Sequence, residues 1–153
     1  MITIQITKNF HNIKVSLPRV KKLIRSICKR FKLSNATVSI AIVDNAQMRK
    51  INSQFLNRNS ATDCLSFDLS DERVLQASKS FELVVNGELA LKEADLRGHD
   101  GENELALYIT HGLLHNFGFD DATKSQAKKM HDTEDEILQQ FGYGLVYNKR
   151  KRI

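Results

Sequence analysis

The sequence predicts an α+β fold in which helices cover a small mixed β-sheet. Apolar and polar residues alternate at the N-terminus, as in a half-buried strand, and further short apolar runs of strand length follow. Two helical patterns with clear start and stop signals occupy the C-terminal half. No internal repeat or linker interrupts the 153 residues, so we expect a single domain over residues 1–153.

The first two predicted elements are a strand and a basic helix. Ile2, Ile4 and Ile6 alternate with polar residues and predict the strand. Ser16 stands where a helix N-cap is expected, and Pro18 suits the first turn of a helix. Apolar residues recur along this helix at helical spacing, which leaves its basic residues on an outer face. We name this outer face the basic face, and its residues are Lys21, Lys22, Arg25 and Lys29.

A second strand and a second helix are predicted next. Residues 38–43 form an apolar run typical of a well-buried strand. Asp44 is placed to cap the helix that follows. The residues of that helix expected to face inward are Met48, Ile51 and Phe55. A polar loop over residues 57–61 ends this part of the chain.

The middle of the chain predicts two further extended segments. Residues 64–69 favour a third strand. Residues 81–91 favour another strand or a hairpin, with the turn at Asn86-Gly87, because Asn-Gly is a frequent hairpin turn. The sheet is therefore expected to be small and mixed.

Two helices are predicted in the C-terminal half. Residues 102–117 are rich in Leu, Ala and Ile, and Gly118 can supply the left-handed conformation that ends a helix. Thr123 and Gln126 form a capping-box pattern at the start of the last helix, which Gly142 would end. The apolar stripe of this helix is Ala127, Met130, Ile137, Leu138 and Phe141.

Charge is unevenly distributed along the chain. Residues 1–58 contain twelve Lys/Arg and one acid, a net +11, whereas residues 59–153 contain eleven Lys/Arg and seventeen acids, a net −6. The basic part predicts a polyanionic partner, although lysines also occur on helix faces that only contact solvent. Cys28 and Cys64 are far apart, and the N-terminus has no long apolar run. We therefore expect no disulfide, no membrane attachment and a cytoplasmic location.

The segment THGLLHNFGFDD, residues 110–121, has the pattern of a metal site. His111 and His115 are four residues apart on a predicted helix, so both imidazoles project from one face and can bind one ion. Gly118 permits the chain to turn back. Asp121 lies six residues after His115, the spacing at which HxxxHxxGxxH metalloproteins place a third histidine. Three protein ligands leave a position open for water, which predicts a hydrolase.

The residues next to His111 and His115 indicate which class of hydrolase is expected. Two histidines on an apolar helix are more often core residues than ligands, and it is the following glycine and carboxylate that favour a metal. HExxH zinc proteases have a glutamate after the first histidine as general base, whereas Gly112 stands here. This disfavours a peptidase and, with the basic first half, favours a phosphodiester substrate. His99 and His131 lack such neighbours and are expected at the surface or at a cap, and Cys28 is expected in the core.

These residues resemble the YbeY endoribonuclease family, whose HGxLHLxGYDH segment is matched by His111 to Asp121. Residues 51–55 and 62–67 are similar to the family's LNxxYRxxxxPTDVLSF segment, and residues 86–90 to its GDI strand. The resemblance implies a zinc-containing, single-strand-specific endoribonuclease that acts in rRNA processing, including the 3′ end of small-subunit rRNA, and in ribosome quality control. It also implies the ribosome or its small subunit as a partner, without DNA or a membrane, and His111, His115 and position 121 as metal ligands.

Two positions depart from the family's pattern. Asp121 replaces the third histidine, and because a carboxylate is a harder, anionic ligand, a divalent metal other than zinc becomes an option. Asp120 matches the family's own aspartate; it is an alternative third ligand, and its expected role is to orient a ligand. The family's arginine aligns with Leu56, and Arg58 is the alternative phosphate contact.

The competing interpretation is a non-catalytic basic assembly factor that binds RNA or the ribosome and has a weakened metal site. Both interpretations explain the charge, and the basic face is the expected RNA contact in both. They differ in whether the protein cuts RNA.

Overall fold

A computed structural model describes residues 1–57, 61–71, 73, 78–144 and 146–147. Among these residues, one sheet contains the strands β1 (Ile2–Lys8), β2 (Ala36–Val43), β3 (Cys64–Asp68) and β4 (Lys79–Asn86). The helices are α1 (Leu17–Arg30), α2 (Asn45–Leu56), α3 (Gly87–Arg97), α4 (Gly101–Asn116) and α5 (Lys124–Gln140). The predicted α+β class is confirmed. Across the described ranges, no helix is both long and apolar enough to cross a membrane.

The sheet is mixed, with the strand order β1-β2-β4-β3. β1, β2 and β4 run parallel, and β3 pairs antiparallel with β4 at one edge. The register aligns Ile6, Ile40 and Leu83 in one row across the parallel strands. Because side chains alternate across a sheet, this row and its next-but-one neighbours face the same side.

Helices cover both faces of the sheet. The larger core cluster joins the Ile40 and Leu83 face to buried residues of α1, α4 and α5. A smaller cluster on the opposite face contains Val43, Met48, Leu65 and Val84, and α2 contributes its Met48. Phe55 was expected to face inward with Met48 but is 68% exposed. This expectation is wrong because Phe55 lies near the end of α2, where its ring contacts the edge of the partly buried Phe67.

The predicted hairpin at Asn86-Gly87 is wrong, because β4 ends at Asn86 and α3 begins at Gly87. The Asn86 Oδ1 atom accepts a hydrogen bond from the Leu89 N–H and caps α3, while its Nδ2 donates to Asn45 Oδ1 at 2.7 Å and to the Thr62 carbonyl at 3.2 Å. Gly87 is required by packing, since an added Cβ would lie 2.8 Å from Ile42 Cγ2. Asn86 therefore joins four segments of the chain.

Most predicted helix signals are confirmed. Asp44 and Thr123 each form a complete capping box, and Gly118 and Gly142 have positive φ angles of 94° and 80° after α4 and α5. Ser16 occupies the N-cap position of α1, but its side chain makes no capping hydrogen bond. The Ser16 backbone N–H instead donates to Glu102 Oε1 at 2.6 Å, which ties α1 to α4.

Two isolated residues lie inside the fold. Cys28 is buried in the core as predicted, and burial raises the pKa of its thiol to about 11. His99 was expected at the surface or at a cap; its side chain is only 6% exposed and its Nε2 atom lies 2.8 Å from Glu104 Oε1, while its backbone N–H donates to the Ala94 carbonyl at 3.1 Å, at the end of α3. The surface position is wrong because Glu104 is completely buried, and a buried carboxylate requires a hydrogen-bond partner.

Candidate metal centre

α4 presents His111 and His115 on one face, close to its C-terminal end. Their Nε2 atoms lie 3.1 Å apart, and their rings are nearly perpendicular. Two nitrogen lone pairs that face each other at this distance repel, so a proton or a metal ion must lie between them. Asp121 follows the turn at Gly118, and its Oδ2 atom lies 3.7 Å from His111 Nε2 and 3.8 Å from His115 Nε2. The structure thus brings the three predicted ligands together.

The dimensions of this trio fit a divalent ion. Three atoms with these separations can all lie about 2.1 Å from a single point, which is the usual length of Zn–N and Zn–O bonds. The side chains of His111, His115 and Asp121 are 20%, 33% and 43% exposed. The centre is therefore open to solvent on one side, as a site with a free coordination position requires.

Both histidines are oriented through their second ring nitrogen. His115 Nδ1 lies 3.0 Å from the Phe119 carbonyl, and because a carbonyl only accepts, Nδ1 carries the proton. His111 Nδ1 lies 2.8 Å from Glu134 Oε2 and donates to it in the same way. In the neutral imidazoles this arrangement leaves both Nε2 lone pairs for an ion, and such partners are typical of metal-binding histidines.

Glu134, on α5, is completely buried and holds two histidines. Its Oε1 accepts from His131 Nδ1 at 2.5 Å, while Oε2 accepts from His111. Burial raises the pKa of Glu134, but the hydrogen bonds and positive charges of His111 and His131 outweigh burial and lower it below the ordinary 4.5.

The pKa of His111 is shifted in the opposite direction to that of Glu134. Burial lowers the pKa of His111, but the hydrogen bond and charge of Glu134, followed by the charges of Asp63 and Asp121, raise it above the ordinary 6.5. In the protein without a metal, each partner therefore favours the charged form of the other. A metal at Nε2 displaces the proton from that nitrogen, so metal binding and protonation of His111 compete.

His131 was expected at the surface or at a cap, and this expectation is wrong. Its side chain is 16% exposed, and its ring stacks on Tyr147 with centroids 3.5 Å apart. It also lies parallel to the His111 ring at 6.1 Å. Ligand atoms of His111, His131 and Glu134 lie within 4.8 Å of one another and form a second possible metal set. We interpret this set as support for His111, because both Glu134 oxygens already accept hydrogen bonds from imidazoles.

Asp63 is a further acidic residue of the centre. It helps to line a cavity of about 50 Å³, together with Leu107, Tyr108, His111, His131, Glu134 and Tyr147. Asp63 Oδ1 accepts from the Cys64 N–H at 2.7 Å, so the start of β3 fixes the carboxylate. Sequence reasoning missed Asp63, His131 and Glu134 as residues of the centre. The available signals were the Thr62-Asp63 pair at the start of a strand and the i, i+3 spacing of His131 and Glu134.

Asp120 and Gly112 do not take part in the trio. Asp120 is exposed, its Oδ1 accepts from the Asp121 N–H at 2.8 Å, and it is absent from the possible ligand sets of the described residues. Gly112 faces β3 and β4, since an added Cβ would lie 2.7 Å from Cys64 Sγ and 3.0 Å from Leu83 Cδ2. A protease-like glutamate would therefore not fit at position 112.

The predicted RNA contacts lie apart from the metal ligands in sequence. Lys22, Arg25 and Lys29 are exposed on α1, and Lys21 is half-buried, so the basic face is largely free to meet a ligand. Arg58 lies outside the residues that the structure describes.

The fold and the trio define a small α+β protein whose histidine-carboxylate centre suits a divalent metal. The chain belongs to the Endoribonuclease YbeY family, whose model matches residues 5–142. It is 30% identical over 134 residues to Endoribonuclease YbeY of Malacoplasma penetrans, covering 87% of this chain and 89% of that protein. It is 33% identical over 143 residues to the protein of the same name in Limosilactobacillus reuteri, with coverages of 85% and 89%.

A solved structure shares the fold. The solution structure of TM1509 from Thermotoga maritima matches with a TM-score of 0.62 at 24% sequence identity, over 91% of each chain. This likeness supports the order and packing of the elements around the candidate centre.

Proposed function

We propose that the chain is a metal-dependent endoribonuclease that cleaves single-stranded RNA, and that His111, His115 and Asp121 hold its metal. The observation that carries this proposal is the convergence of two Nε2 atoms and one carboxylate oxygen at mutual distances of 3.1, 3.7 and 3.8 Å. Membership of a family named for endoribonucleases supports RNA as the substrate.

The proposed metal is one zinc ion. Two imidazole nitrogens and a carboxylate oxygen are acceptable zinc ligands, and the exposed carboxylate also admits other divalent metals. A divalent ion at such a site polarises a phosphoryl oxygen and lowers the pKa of bound water. The chain contributes orientation, since Glu134 and the Phe119 carbonyl fix the two imidazoles before a metal binds. It also contributes access, because Asp121 lies on the exposed side.

The basic face is proposed to attract the RNA strand. Its exposed residues belong to a part of the chain with a net charge of +11, and cations of this density neutralise phosphates without reading sequence. Arg58 is proposed as a further phosphate contact, on the resemblance of its segment to the family pattern. Binding is expected to be electrostatic, with no DNA and no membrane among the partners.

The biological role is proposed on the resemblance of the sequence. It is processing of rRNA, including the 3′ end of small-subunit rRNA, and ribosome quality control in the cytoplasm, in contact with the ribosome or its small subunit. We propose one domain over residues 1–153, because the larger core cluster contains both Ile4 of β1 and Val146 near the C-terminus.

The experiment that tests the proposal compares wild type with His115→Ala and His11→Ala. Wild type is expected to bind one metal per chain and to cut a labelled single-stranded RNA, whereas His115→Ala loses both. His11→Ala is the matched control, because His11 is exposed and far from the trio in sequence. Metal content is measured by mass spectrometry. If metal-loaded wild type binds RNA without cutting it, the basic RNA-binding factor is the better interpretation.

A further inference from the structure

A groove of about 320 Å³ adjoins the candidate metal centre, and none of its lining residues is one of the three proposed ligands. It opens between the turn after α4 and the first half of α5. Its lining residues are Phe117, Gly118, Phe119, Asp120, Gln126 and Lys129. Two of them contact the metal ligands, since the Phe119 carbonyl accepts from His115 Nδ1 and Asp120 Oδ1 accepts from the Asp121 N–H. The groove and the centre therefore share one turn of the chain.

The aromatic residues of the groove are held by the core. The Phe117 ring stacks on Phe31 with centroids 4.8 Å apart and meets the edge of Phe81 at 5.6 Å. The Phe119 ring meets Phe31 edge to face at 5.7 Å. Both Phe117 and Phe119 are only partly buried. Rings fixed in this way present an aromatic surface that needs no ordering when a ligand binds.

The rim of the groove provides a cation and polar groups. Lys129 Nζ lies 5.8 Å from the centroid of the Phe119 ring, near the outer limit of about 6 Å for a cation–π contact. Lys129 makes no ion pair within the described ranges, whereas the adjacent Lys128 pairs with Asp132 at 2.6 Å. Gln126 uses Oε1 to accept from the Thr123 N–H, which leaves its amide NH₂ as a donor. Lys129 can therefore exchange a weak contact for a phosphate.

We propose that this groove holds one base of the RNA strand, stacked on Phe119, while Lys129 contacts a neighbouring phosphate. The inference rests on the proposed function and adds the nucleotide subsite beside the metal. An aromatic surface with a nearby cation is the combination that binds single strands, and the volume lies within the range of ligand pockets. Because every base has a π face, the subsite is expected to tolerate all four bases.

The test measures binding of two fluorescein-labelled ligands to the metal-free protein by anisotropy. One is hexa-adenylate, and the other is a hexamer of the same ribose-phosphate backbone without bases. Phe119→Leu is expected to weaken hexa-adenylate binding by about 5- to 150-fold, the usual effect of losing one stacked base, and to leave binding of the abasic strand unchanged. Phe119→Tyr retains the ring and is expected to bind both ligands within about twofold of wild type.

Two lysine variants test the phosphate contact. Lys129→Gln is expected to reduce the slope of log K against log salt by about 0.7, the value for one phosphate of a single strand. Lys128→Gln removes the same charge one residue away and is expected to leave the slope unchanged, since Lys128 already pairs with Asp132.

Several results would overturn the subsite. Phe119→Leu binding hexa-adenylate like wild type would exclude stacking, and equal losses for both ligands would show a structural effect instead. Equal salt slopes for Lys129→Gln and Lys128→Gln would show that Lys129 does not contact a phosphate. If Phe119→Leu does not fold, the comparison of these two lysine variants still decides the proposal. If wild type binds neither ligand, the proposed function fails together with the subsite. If wild type binds and cuts RNA while Phe119→Leu is unaffected, only the subsite is wrong.

Discussion

Replacing Glu134 by glutamine tests whether one buried carboxylate keeps the candidate metal centre in shape. Its two oxygens accept hydrogen bonds from His111 Nδ1 at 2.8 Å and from His131 Nδ1 at 2.5 Å. Glutamine has nearly the same shape, but its NH₂ group cannot accept. One imidazole therefore loses its acceptor, and the other keeps only a neutral one.

The size of the effect follows from these two bonds. Loss of a supporting hydrogen bond to a metal-binding histidine lowers metal affinity by about 10- to 100-fold, which corresponds to about 1.4 to 2.7 kcal/mol. Hydrogen bonds to charged groups contribute about 1.5 to 3 kcal/mol, against about 1 kcal/mol for neutral ones. The buried charge of Glu134 itself costs several kcal/mol, which offsets part of the loss. We expect Glu134→Gln to lower the unfolding free energy of the metal-free protein by about 1 to 3 kcal/mol.

The same variant is expected to change the dependence of stability on pH. The pKa of His111 is raised in the folded protein, so its contribution is complete below the ordinary 6.5 and is lost as pH rises through the raised value. The pKa of Glu134 is lowered, so its contribution is present above 4.5 and is lost as pH falls through the lowered value. The His111–Glu134 pair therefore stabilises the metal-free protein most between pH 4.5 and pH 6.5. This maximum is expected to flatten in Glu134→Gln.

The assay combines zinc competition against a chromophoric chelator with chemical denaturation from pH 4.5 to 8. Glu136→Gln is the matched control on the same helix, because Glu136 is 55% exposed and pairs with Arg30 at 3.0 Å. A surface pair of this kind contributes at most about 1 kcal/mol. Two results would contradict this role of Glu134: zinc binding by both variants within twofold of wild type, or a wild-type dependence of stability on pH in Glu134→Gln.

Three further predictions concern the ligand, the basic face and the core. Asp121→Asn is expected to lower metal affinity by at least about 10- to 100-fold and Asp121→His to raise it, as measured by metal stoichiometry. Full metal retention in Asp121→Asn would mean that Asp121 is not a ligand and that Asp120 or no third protein ligand takes its place. For RNA binding by wild type, the slope of log K against log salt is expected to be about −3, the value for about four phosphates, and a flat response would contradict electrostatic binding. The same titration is expected to show weaker binding after charge reversal at Lys22, Arg25 and Lys29. Gly112→Ala places a Cβ 2.7 Å from Cys64 Sγ, so chemical denaturation is expected to show that the free energy of unfolding falls by about 1 to 3 kcal/mol. Adding Cys64→Ala is expected to restore most of this loss of stability. If the loss persists in the double variant, the contact with Cys64 is not its cause.

Helix ends were predictable because their chemistry is local. Asp44 and Thr123 each cap a helix with a partner three residues ahead, and Gly118 supplies a conformation that few other residues adopt. Such signals lie within one turn of the chain. Their physical basis does not depend on how the rest of the protein packs.

The segment after residue 81 was not predictable in the same way. Asn-Gly serves equally as a hairpin turn and as the start of a helix, since asparagine is a good N-cap. The choice depends on long-range contacts, because Asn86 bonds to Asn45 and Thr62 and β4 pairs in parallel with β2. The prediction that Phe55 faces inward was wrong for a related reason. The helical period indicated which side of α2 faces inward, but it did not indicate where the sheet beneath the helix ends.

Within the candidate metal centre, the residues of one short segment were predictable, and the residues that reach it through long-range packing were not. His111, His115 and Asp121 belong to one short segment, so spacing alone indicated that they converge. Glu134 and Asp63 reach His111 from α5 and from the start of β3, and no local pattern links them to the helix that they support. Only the packing of α4 against its neighbours brings these carboxylates to the imidazoles.

The most direct test of the metal centre is a metal add-back titration on one preparation of the wild-type protein. Chelation is expected to abolish cutting of a labelled single-stranded RNA while leaving RNA binding intact. Activity is then expected to return in proportion to the metal bound and to reach its maximum at one ion per chain. Cutting that persists without metal, or that requires no occupied site at His111, His115 and Asp121, would contradict the proposed function.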